Sequence, residues 1–152
     1  MSTIKNILIP VDFSKCSQDA TIYAEEIAER FDAAIHLLHV IEPIIVAPMI
    51  GESLPTTYLD QQESSVQEQL NRWMTAEHSV SRSSGRAIRH GSPFVEIIRY
   101  ARENQIDLIV MGTHGLTGLK HALIGSVAEK VVRKASCPVL TVREAEHEFE
   151  MP

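Results

Sequence analysis

The sequence of 152 residues predicts an α/β fold, in which a single parallel sheet carries helices on both faces. Short apolar segments of strand length alternate with longer segments whose apolar residues recur every three or four positions. This gives the order β-α-β-α-β-α-β-α-β, which favours parallel strands joined by right-handed crossovers. The length is that of one domain. From this pattern alone, the flavodoxin-like and the Rossmann-half strand orders both remain possible.

The first strand and helix are predicted at residues 4–11 and after Ser14. The strand is continuously apolar, as expected when both faces are covered, and Pro10 removes a hydrogen-bond donor near its end. Ser14 is a suitable helix N-cap. The core stripe of this helix is expected to consist of Ala20, Tyr23, Ala24, Ile27, Ala28 and Phe31.

The second strand is predicted at residues 34–41 and contains two histidines. His36 and His39 are an odd number of positions apart, so they point to opposite faces and are not expected to share a metal. Hydrogen-bonded histidines are expected instead. Residues 42–57 are rich in proline and predict a long loop, and residues 58–79 predict a helix. The expected core residues of that helix are Leu59, Val66, Leu70, Trp73 and Met74.

The second half of the chain predicts three more strands and two more helices. A polar turn at residues 81–85 precedes a strand at 86–90, and Pro93 opens a helix. The expected core residues of this helix are Phe94, Ile97, Ile98 and Ala101. A strand at residues 106–111, a helix at 127–135 and a strand at 139–143 follow. Residues 144–152 are acidic and are predicted to form a C-terminal tail.

The charge and cysteine content limit the classes of function. A formal net charge of −6 argues against nucleic acid and anionic membranes as partners. There is no apolar run of membrane-spanning length and no signal-peptide pattern, so we expect a cytoplasmic protein without membrane insertion. Cys16 and Cys137 are expected to be free thiols. No side-chain metal site is predicted.

A glycine-rich segment between the fourth strand and the last helix indicates an anion site. Glycines there would allow positive φ and bring backbone amides close to a phosphate at the start of the helix. The alternative needs no ligand: Ser126 and Glu129 fit a capping box, and Gly112 and Gly115 fit ordinary turns. The spacing matches neither a P-loop nor a dinucleotide fingerprint.

The fold class places a ligand beyond the carboxyl ends of the strands. At these ends lie the segments 10–12, 40–41 and 111–112. Asp12 would repel phosphate, but its carboxylate would accept hydrogen bonds from ribose hydroxyls or an amino group. The alternative for Asp12 is an acid that stabilises the start of the first helix.

Several spaced motifs resemble those of the universal stress protein family. They are Pro-Val-Asp-Phe-Ser at residues 10–14, Leu-Leu-His-Val at 37–40, the strand and loop at 107–115, and Cys-Pro-Val-Leu-Thr-Val at 137–142. Gly112, Gly115 and Gly125-Ser126 fill every fixed position of the G-x2-G-x9-G-[ST] pattern of the ATP-binding branch. The resemblance extends to about residue 143, so it implies a nucleotide-binding domain at 1–143 and a tail at 144–152.

This resemblance implies a five-stranded sheet in the order 3-2-1-4-5, of the adenine nucleotide alpha-hydrolase-like, Rossmann-like kind. It also implies ATP, or AMP or ADP, as ligand, either with or without Mg. The residues implied to surround the phosphates are Gly112, Gly115, Gly125, Ser126 and the backbone of Val127. Asp12 would lie near adenine and ribose, and Pro10, Val11, Val40 and Met111 would wall the base.

Other residues of the glycine-rich segment and of the last strand leave open questions. Lys120 could neutralise phosphate or be an ordinary solvated lysine, and His114 could bind phosphate or cap the turn. Neither is predicted to be catalytic. The family also implies a homodimer, formed by antiparallel pairing of the last strands through Val139, Leu140, Thr141 and Val142.

The leading hypothesis is an ATP-binding regulator or sensor that acts on a partner protein in the stress response. The alternatives are a slow ATPase or nucleotide-dependent transferase, and an interaction module that no longer binds nucleotide. No nucleophile and base at suitable spacing are recognisable, so no catalytic residue is assigned. The sequence does not identify the partner or the stress signal, nor does it say whether residues 42–57 close over the site.

Overall fold

The computed structural model describes residues 3–43, 56–74, 82–115 and 124–144. Strands and helices alternate in the predicted order. The elements are β1 (Asn6–Pro10), α1 (Lys15–Phe31), β2 (Ala34–Ile41), α2 (Thr56–Trp73), β3 (Ser83–His90), α3 (Pro93–Glu103), β4 (Leu108–Gly112), α4 (Ser126–Lys134) and β5 (Val139–Val142).

The five strands form one parallel sheet in the order β3-β2-β1-β4-β5. This confirms the predicted strand order and excludes the other order that the pattern allowed. β1 pairs with β2 on one side and with β4 on the other, so the chain reverses direction across the sheet at this point. The carboxyl ends of β1 and β4 therefore lie side by side, where such folds bind ligands.

The sheet is covered on both faces, as predicted. On one face Ile7, Ile9 and Leu37 pack with α1 and α2, and on the other Leu8 and Ile109 pack with α3 and α4. α1 approaches the sheet through Ala20, Ala24 and Ala28, which are completely buried. Because these small side chains form the contact, larger residues beside them extend outward.

Three predicted core residues are therefore wrong. Tyr23, Phe31 and Leu59 are each about half exposed, with 53%, 49% and 47% of their surface accessible. The spacing of apolar residues identified the correct helices. The apolar face that it predicted is wider than the face that each helix buries against the sheet.

Two predicted boundaries also differ from the structure. α2 ends at Trp73 and not at residue 79; residues 75–81 lie outside the described part. β3 begins at Ser83, because residues 83 and 85 pair with β2 where a polar turn was predicted. Pairing with a neighbouring strand overrides local turn composition here. The predicted loop at 42–57 lies mostly outside the description, and α2 begins within it at Thr56.

The two histidines of β2 behave as predicted. His36 Nδ1 is 3.1 Å from the Tyr100 hydroxyl on the α3 side, and His39 Nδ1 is 2.6 Å from the Val11 carbonyl oxygen on the α1 side. Both are hydrogen-bonded, and they point to opposite faces. Cys16 and Cys137 are both free thiols, as expected.

Candidate functional site

The turn between β1 and α1 is held in a strained conformation at the carboxyl edge of the sheet. Phe13 has a φ of 65°, which is unusual for a residue other than glycine. Ser14 caps α1 as predicted, because its hydroxyl accepts a hydrogen bond from the Ser17 amide at 3.1 Å. The Val11 amide anchors the start of the turn by donating to the Leu38 carbonyl at 2.8 Å.

The Asp12 carboxylate is fixed by three hydrogen bonds to one of its oxygens. Oδ1 accepts from the Ser14 amide at 3.0 Å, from the Ser14 hydroxyl at 2.5 Å and from the Ser17 hydroxyl at 2.8 Å. The negative charge also lies beside the positive end of α1. The alternative interpretation of Asp12, an acid that stabilises the start of the first helix, is thus one part of its role.

Aromatic side chains support the same turn from the α2 side. The Phe13 ring stacks on His39 with centroids 4.7 Å apart, and it meets the edge of Trp73 at 5.5 Å. Trp73 Nε1 donates to the Thr21 hydroxyl at 2.8 Å. Trp73 is therefore a packing residue, as predicted, and it lies close enough to the turn to report on it.

His39 supports the turn in its neutral form. Burial lowers the pKa of His39, while the hydrogen bond to Val11 and the charge of Asp12 oppose this shift. A carbonyl oxygen can only accept, so Nδ1 carries the proton in this contact. Burial also lowers the pKa of His36.

The three described glycines of the predicted motif are required for space. A Cβ at Gly112 would lie 2.7 Å from Cys16 Sγ, and a Cβ at Gly125 would lie 2.9 Å from the Thr113 carbonyl oxygen. A Cβ at Gly115 would collide with Asp12 Oδ2. None of the three has a positive φ, so that part of the prediction is wrong for them. Gly112 lets α1 approach β4, and Gly115 makes room for the Asp12 carboxylate.

Among the described residues, no side chain caps the N-terminus of α4. Its N-cap is Gly125, and Ser126 is the first helical residue, so the alternative interpretation, a capping box of Ser126 with Glu129, is wrong. The turn falls one residue earlier because the Gly125 amide donates to the Thr113 carbonyl at 2.6 Å. The first hydrogen bond within the helix runs from the Glu129 amide to the Gly125 carbonyl at 2.9 Å. The amides of residues 126–128 therefore have no partner inside the helix.

The remaining predicted residues lie on both faces of this edge. Val40 and Met111 belong to the α3 and α4 side of the sheet, whereas Val11 is 3% exposed in the core under α1. Pro10 is buried at the end of β1. The structure therefore brings Asp12 and Gly115 into contact, and it turns the side chain of Val11 away from the other proposed walls of the base. Lys120 lies outside the described residues.

Four residues of this edge were not singled out as site residues from the sequence. Ser17 binds Asp12, and Phe13 packs with His39 against Trp73. The spacing of Ser14 and Ser17 could have indicated a second hydroxyl at the helix start. No local pattern indicates the aromatic contacts, because the three rings come from separate elements.

A groove between α3 and α4 has an apolar floor that includes Phe94 and Ile98, and the cations of Lys130 and Lys134 lie 4.9 and 5.4 Å from the Phe94 ring centre. Within residues 3–43, 56–74, 82–115 and 124–144, no group of three potential ligands could hold a metal ion. No helix of this part is long and apolar enough to cross a membrane.

Comparison with known proteins shows where this architecture occurs. A family model described as the universal stress protein family matches residues 3–143. The universal stress protein MJ0531 of Methanocaldococcus jannaschii is 36% identical over 151 residues, covering 95% of this chain and 85% of that protein. The structure of MJ0577 from the same organism has a TM-score of 0.76 at 28% identity, covering 96% of this chain and 100% of that one.

A more distant structure shares the fold. The universal stress protein from Archaeoglobus fulgidus in complex with dAMP has a TM-score of 0.60 at 19% identity, covering 93% of this chain and 99% of that chain.

Proposed function

The chain belongs to the universal stress protein family, and we propose that it binds ATP, or AMP or ADP, at the edge formed by β1 and β4. We further propose that nucleotide binding makes it a cytoplasmic regulator or sensor of a partner protein in the stress response. Its proposed nucleotide-binding residues are Pro10, Val11, Asp12, Val40, Met111, Gly112, Gly115, Gly125, Ser126 and Val127.

The uncapped N-terminus of α4 is the observation that carries this proposal. Gly125 supplies no capping side chain, so the amides of residues 126–128 and the positive end of the helix can receive an anion. The same edge holds Asp12, which would repel a phosphate but accepts hydrogen bonds from sugar hydroxyls. Amides that can bind an anion therefore lie near a carboxylate that can accept hydrogen bonds from hydroxyl groups. These two groups match the phosphate and the sugar of a nucleoside phosphate.

The residues present fit such a ligand in a defined division of roles. The amides at the start of α4 would bind phosphate oxygens, and Asp12 would orient the ribose. Gly115 would keep the space between them open, since any larger residue collides with Asp12. A bound Mg²⁺ would be held by the phosphates of the nucleotide and would neutralise part of their charge.

The first test is to denature the purified protein and chromatograph any nucleotide that it releases. The second is to titrate nucleotide-free protein with ATP by calorimetry and by the fluorescence of Trp73, the single tryptophan of the chain. We expect binding that disappears in Gly115→Val, which displaces Asp12. Gly85→Val is the control, because a Cβ at Gly85 on β3 would make only an ordinary contact, 3.7 Å from the Tyr100 hydroxyl.

Two results would change the assignment. The absence of heat and of fluorescence change with ATP, ADP and AMP would overturn nucleotide binding and favour a module that acts through protein contacts alone. Sustained release of phosphate over many turnovers, lost in Gly115→Val, would instead favour the slow ATPase.

We also propose that β5 forms a homodimer through residues Val139–Val142. β5 is an edge strand, and Leu140 on it is 37% exposed. An unpaired edge with apolar side chains recruits a second strand. Leu140→Lys should give a monomer in analytical ultracentrifugation, whereas Val132→Lys, on the exposed side of α4, should not. A dimer that persists in Leu140→Lys would contradict this interface.

A further inference from the structure

We propose that Ser17 is a positioning residue for the sugar of the nucleotide. Its hydroxyl holds Asp12 so that one carboxylate oxygen, Oδ2, faces the ribose. This inference rests on the proposed nucleotide function and adds to it a determinant of ribose selectivity.

The Ser17 hydroxyl lies between two polar atoms of the same residue. It accepts a hydrogen bond from the Asp12 amide at 3.1 Å and lies 2.8 Å from Asp12 Oδ1. An amide can only donate, so the one proton of the hydroxyl is directed to the carboxylate. Ser17 is 4% exposed, so little water competes for these bonds. The hydrogen bond therefore has a fixed direction.

Ser14 acts on the same oxygen in the same way. Its hydroxyl accepts from the Ser17 amide at 3.1 Å and donates to Asp12 Oδ1 at 2.5 Å, and its own amide donates to Oδ1 at 3.0 Å. Three donors on one side of the carboxylate fix its rotation about the Cβ–Cγ bond. The other oxygen, Oδ2, is then directed at the position where Gly115 lacks a Cβ.

The two serines differ in what else they do. Ser14 is also the N-cap of α1, so its removal changes the helix start. Ser17 lies inside α1, where serine is a weaker helix former than alanine. Its side chain is thus unfavourable for the helix itself, and its hydroxyl makes hydrogen bonds with both the amide and the carboxylate of Asp12. This makes Ser17 the residue that tests the positioning of Asp12 separately from the helix.

The experiment compares ATP with 2′,3′-dideoxy-ATP, which lacks both ribose hydroxyls. In the wild-type protein we expect ATP to bind about ten-fold more tightly, the effect of a hydrogen bond to a charged group. In Ser17→Ala this ratio should fall to about two-fold or less, while the affinity for the dideoxy nucleotide stays within about two-fold of the wild type. Ser17→Thr keeps the hydroxyl and should restore the ratio.

Thr21→Val is the matched control. Thr21 lies one turn further along α1, is 5% exposed, and forms hydrogen bonds with the Ser17 carbonyl and Trp73. Because selectivity depends on the positioning of Asp12, we expect Thr21→Val to keep the wild-type ratio. Circular dichroism and urea unfolding of each variant verify that it is folded.

The outcomes separate this inference from the function on which it rests. A wild-type protein that binds neither nucleotide overturns both. A wild-type protein that binds the two nucleotides equally overturns the role of Ser17 and leaves nucleotide binding standing. Equal weakening of both nucleotides in Ser17→Ala, with the ratio preserved, would show a merely structural role and would also overturn the inference.

Discussion

Two helices begin at the same edge of the sheet, and their N-termini differ in whether a side chain caps them. α1 is closed by its own side chains: Ser14 caps it, and Asp12 lies at its positive end. α4 begins after Gly125, and no side chain of the described residues caps it. Both helices begin with backbone amides that have no partner inside the helix and with the positive end of the helix dipole. Each N-terminus is therefore stabilised by hydrogen-bond acceptors or by negative charge.

The difference between the two N-termini suggests how one edge of the sheet could bind both the sugar and the phosphates of the proposed nucleotide. At α1 the protein itself supplies the acceptors, Ser14 and Asp12, and the Asp12 carboxylate could also accept hydrogen bonds from hydroxyl groups. At α4 no described side chain supplies an acceptor, and under the proposed function the phosphates of a nucleotide would do so. A polyphosphate would do at α4 what Asp12 does at α1, which predicts that charge changes at the two termini have different consequences.

Closing α4 with a negative charge should produce the largest effect. In Ser126→Asp the new carboxylate lies in the first turn, where it should stabilise the helix by about 0.5 kcal/mol. The same charge should repel phosphate and weaken ATP binding by roughly 10- to 100-fold. Calorimetry gives the affinity, and urea unfolding gives the stability.

Ser126→Asn is the neutral control of similar size, and it should change ATP affinity by less than about three-fold. Ser126 is exposed, so neither variant disturbs the core. If the aspartate and asparagine variants bind ATP equally well, the start of α4 is not the phosphate site.

Removing the side-chain cap of α1 should have the next largest effect, and mainly on the stability of the protein. Ser14→Ala removes the hydroxyl that caps the helix and one donor to Asp12. We expect the free energy of unfolding to fall by about 1–2 kcal/mol in urea titrations. Ser92→Ala is the matched control, because Ser92 is the N-cap of α3 without a side-chain hydrogen bond. A similar loss in both variants would show that the closed terminus of α1 is not special.

Acid should loosen the support of the α1 turn. Burial lowers the pKa of His39 in the folded protein, so the unfolded chain takes up a proton first as the pH falls below about 6.5. The free energy of unfolding should therefore decrease from there until His39 is also protonated in the folded state. His39→Gln should reduce this slope in urea titrations between pH 7 and 5. An unchanged slope in His39→Gln would contradict this explanation.

A change at the far end of α4 should have the smallest effect. Arg133 pairs with Glu129 at 3.0 Å, but their side chains are 74% and 48% exposed. Arg133→Ala should change the free energy of unfolding by less than about 0.5 kcal/mol and leave ATP affinity unaltered. A clear loss of ATP binding in this variant would show that the N-terminus of α4 is not the part that matters.

Most of the fold could be predicted because strands and helices depend on the local spacing of apolar residues. Buried strands such as β4 are continuous apolar runs, and Pro93 marks the start of α3. The errors occur where distant elements decide. Tyr23 follows the helical period but is exposed, since the alanines of α1 already fill the contact with the sheet. Ser83 looks like part of a turn but pairs with β2.

The candidate site shows the same division. The strand ends and the glycine spacing indicated where a ligand would bind, and the structure places Asp12 against Gly115 there. The reason for each glycine was not accessible from the sequence. Gly112 faces Cys16 and Gly125 faces Thr113, so each is required by a neighbour across the fold or loop and not by a positive φ.

By itself the sequence determined which segments become strands and helices, their order, and the family to which the chain belongs. These depend on the spacing of apolar residues and on short motifs, both of which are local. Only the tertiary structure decided that α1 is closed and α4 is open, and that Asp12 presents Oδ2 toward Gly115. Those features depend on contacts of a few ångströms between residues far apart in the chain, and no period or motif records such contacts.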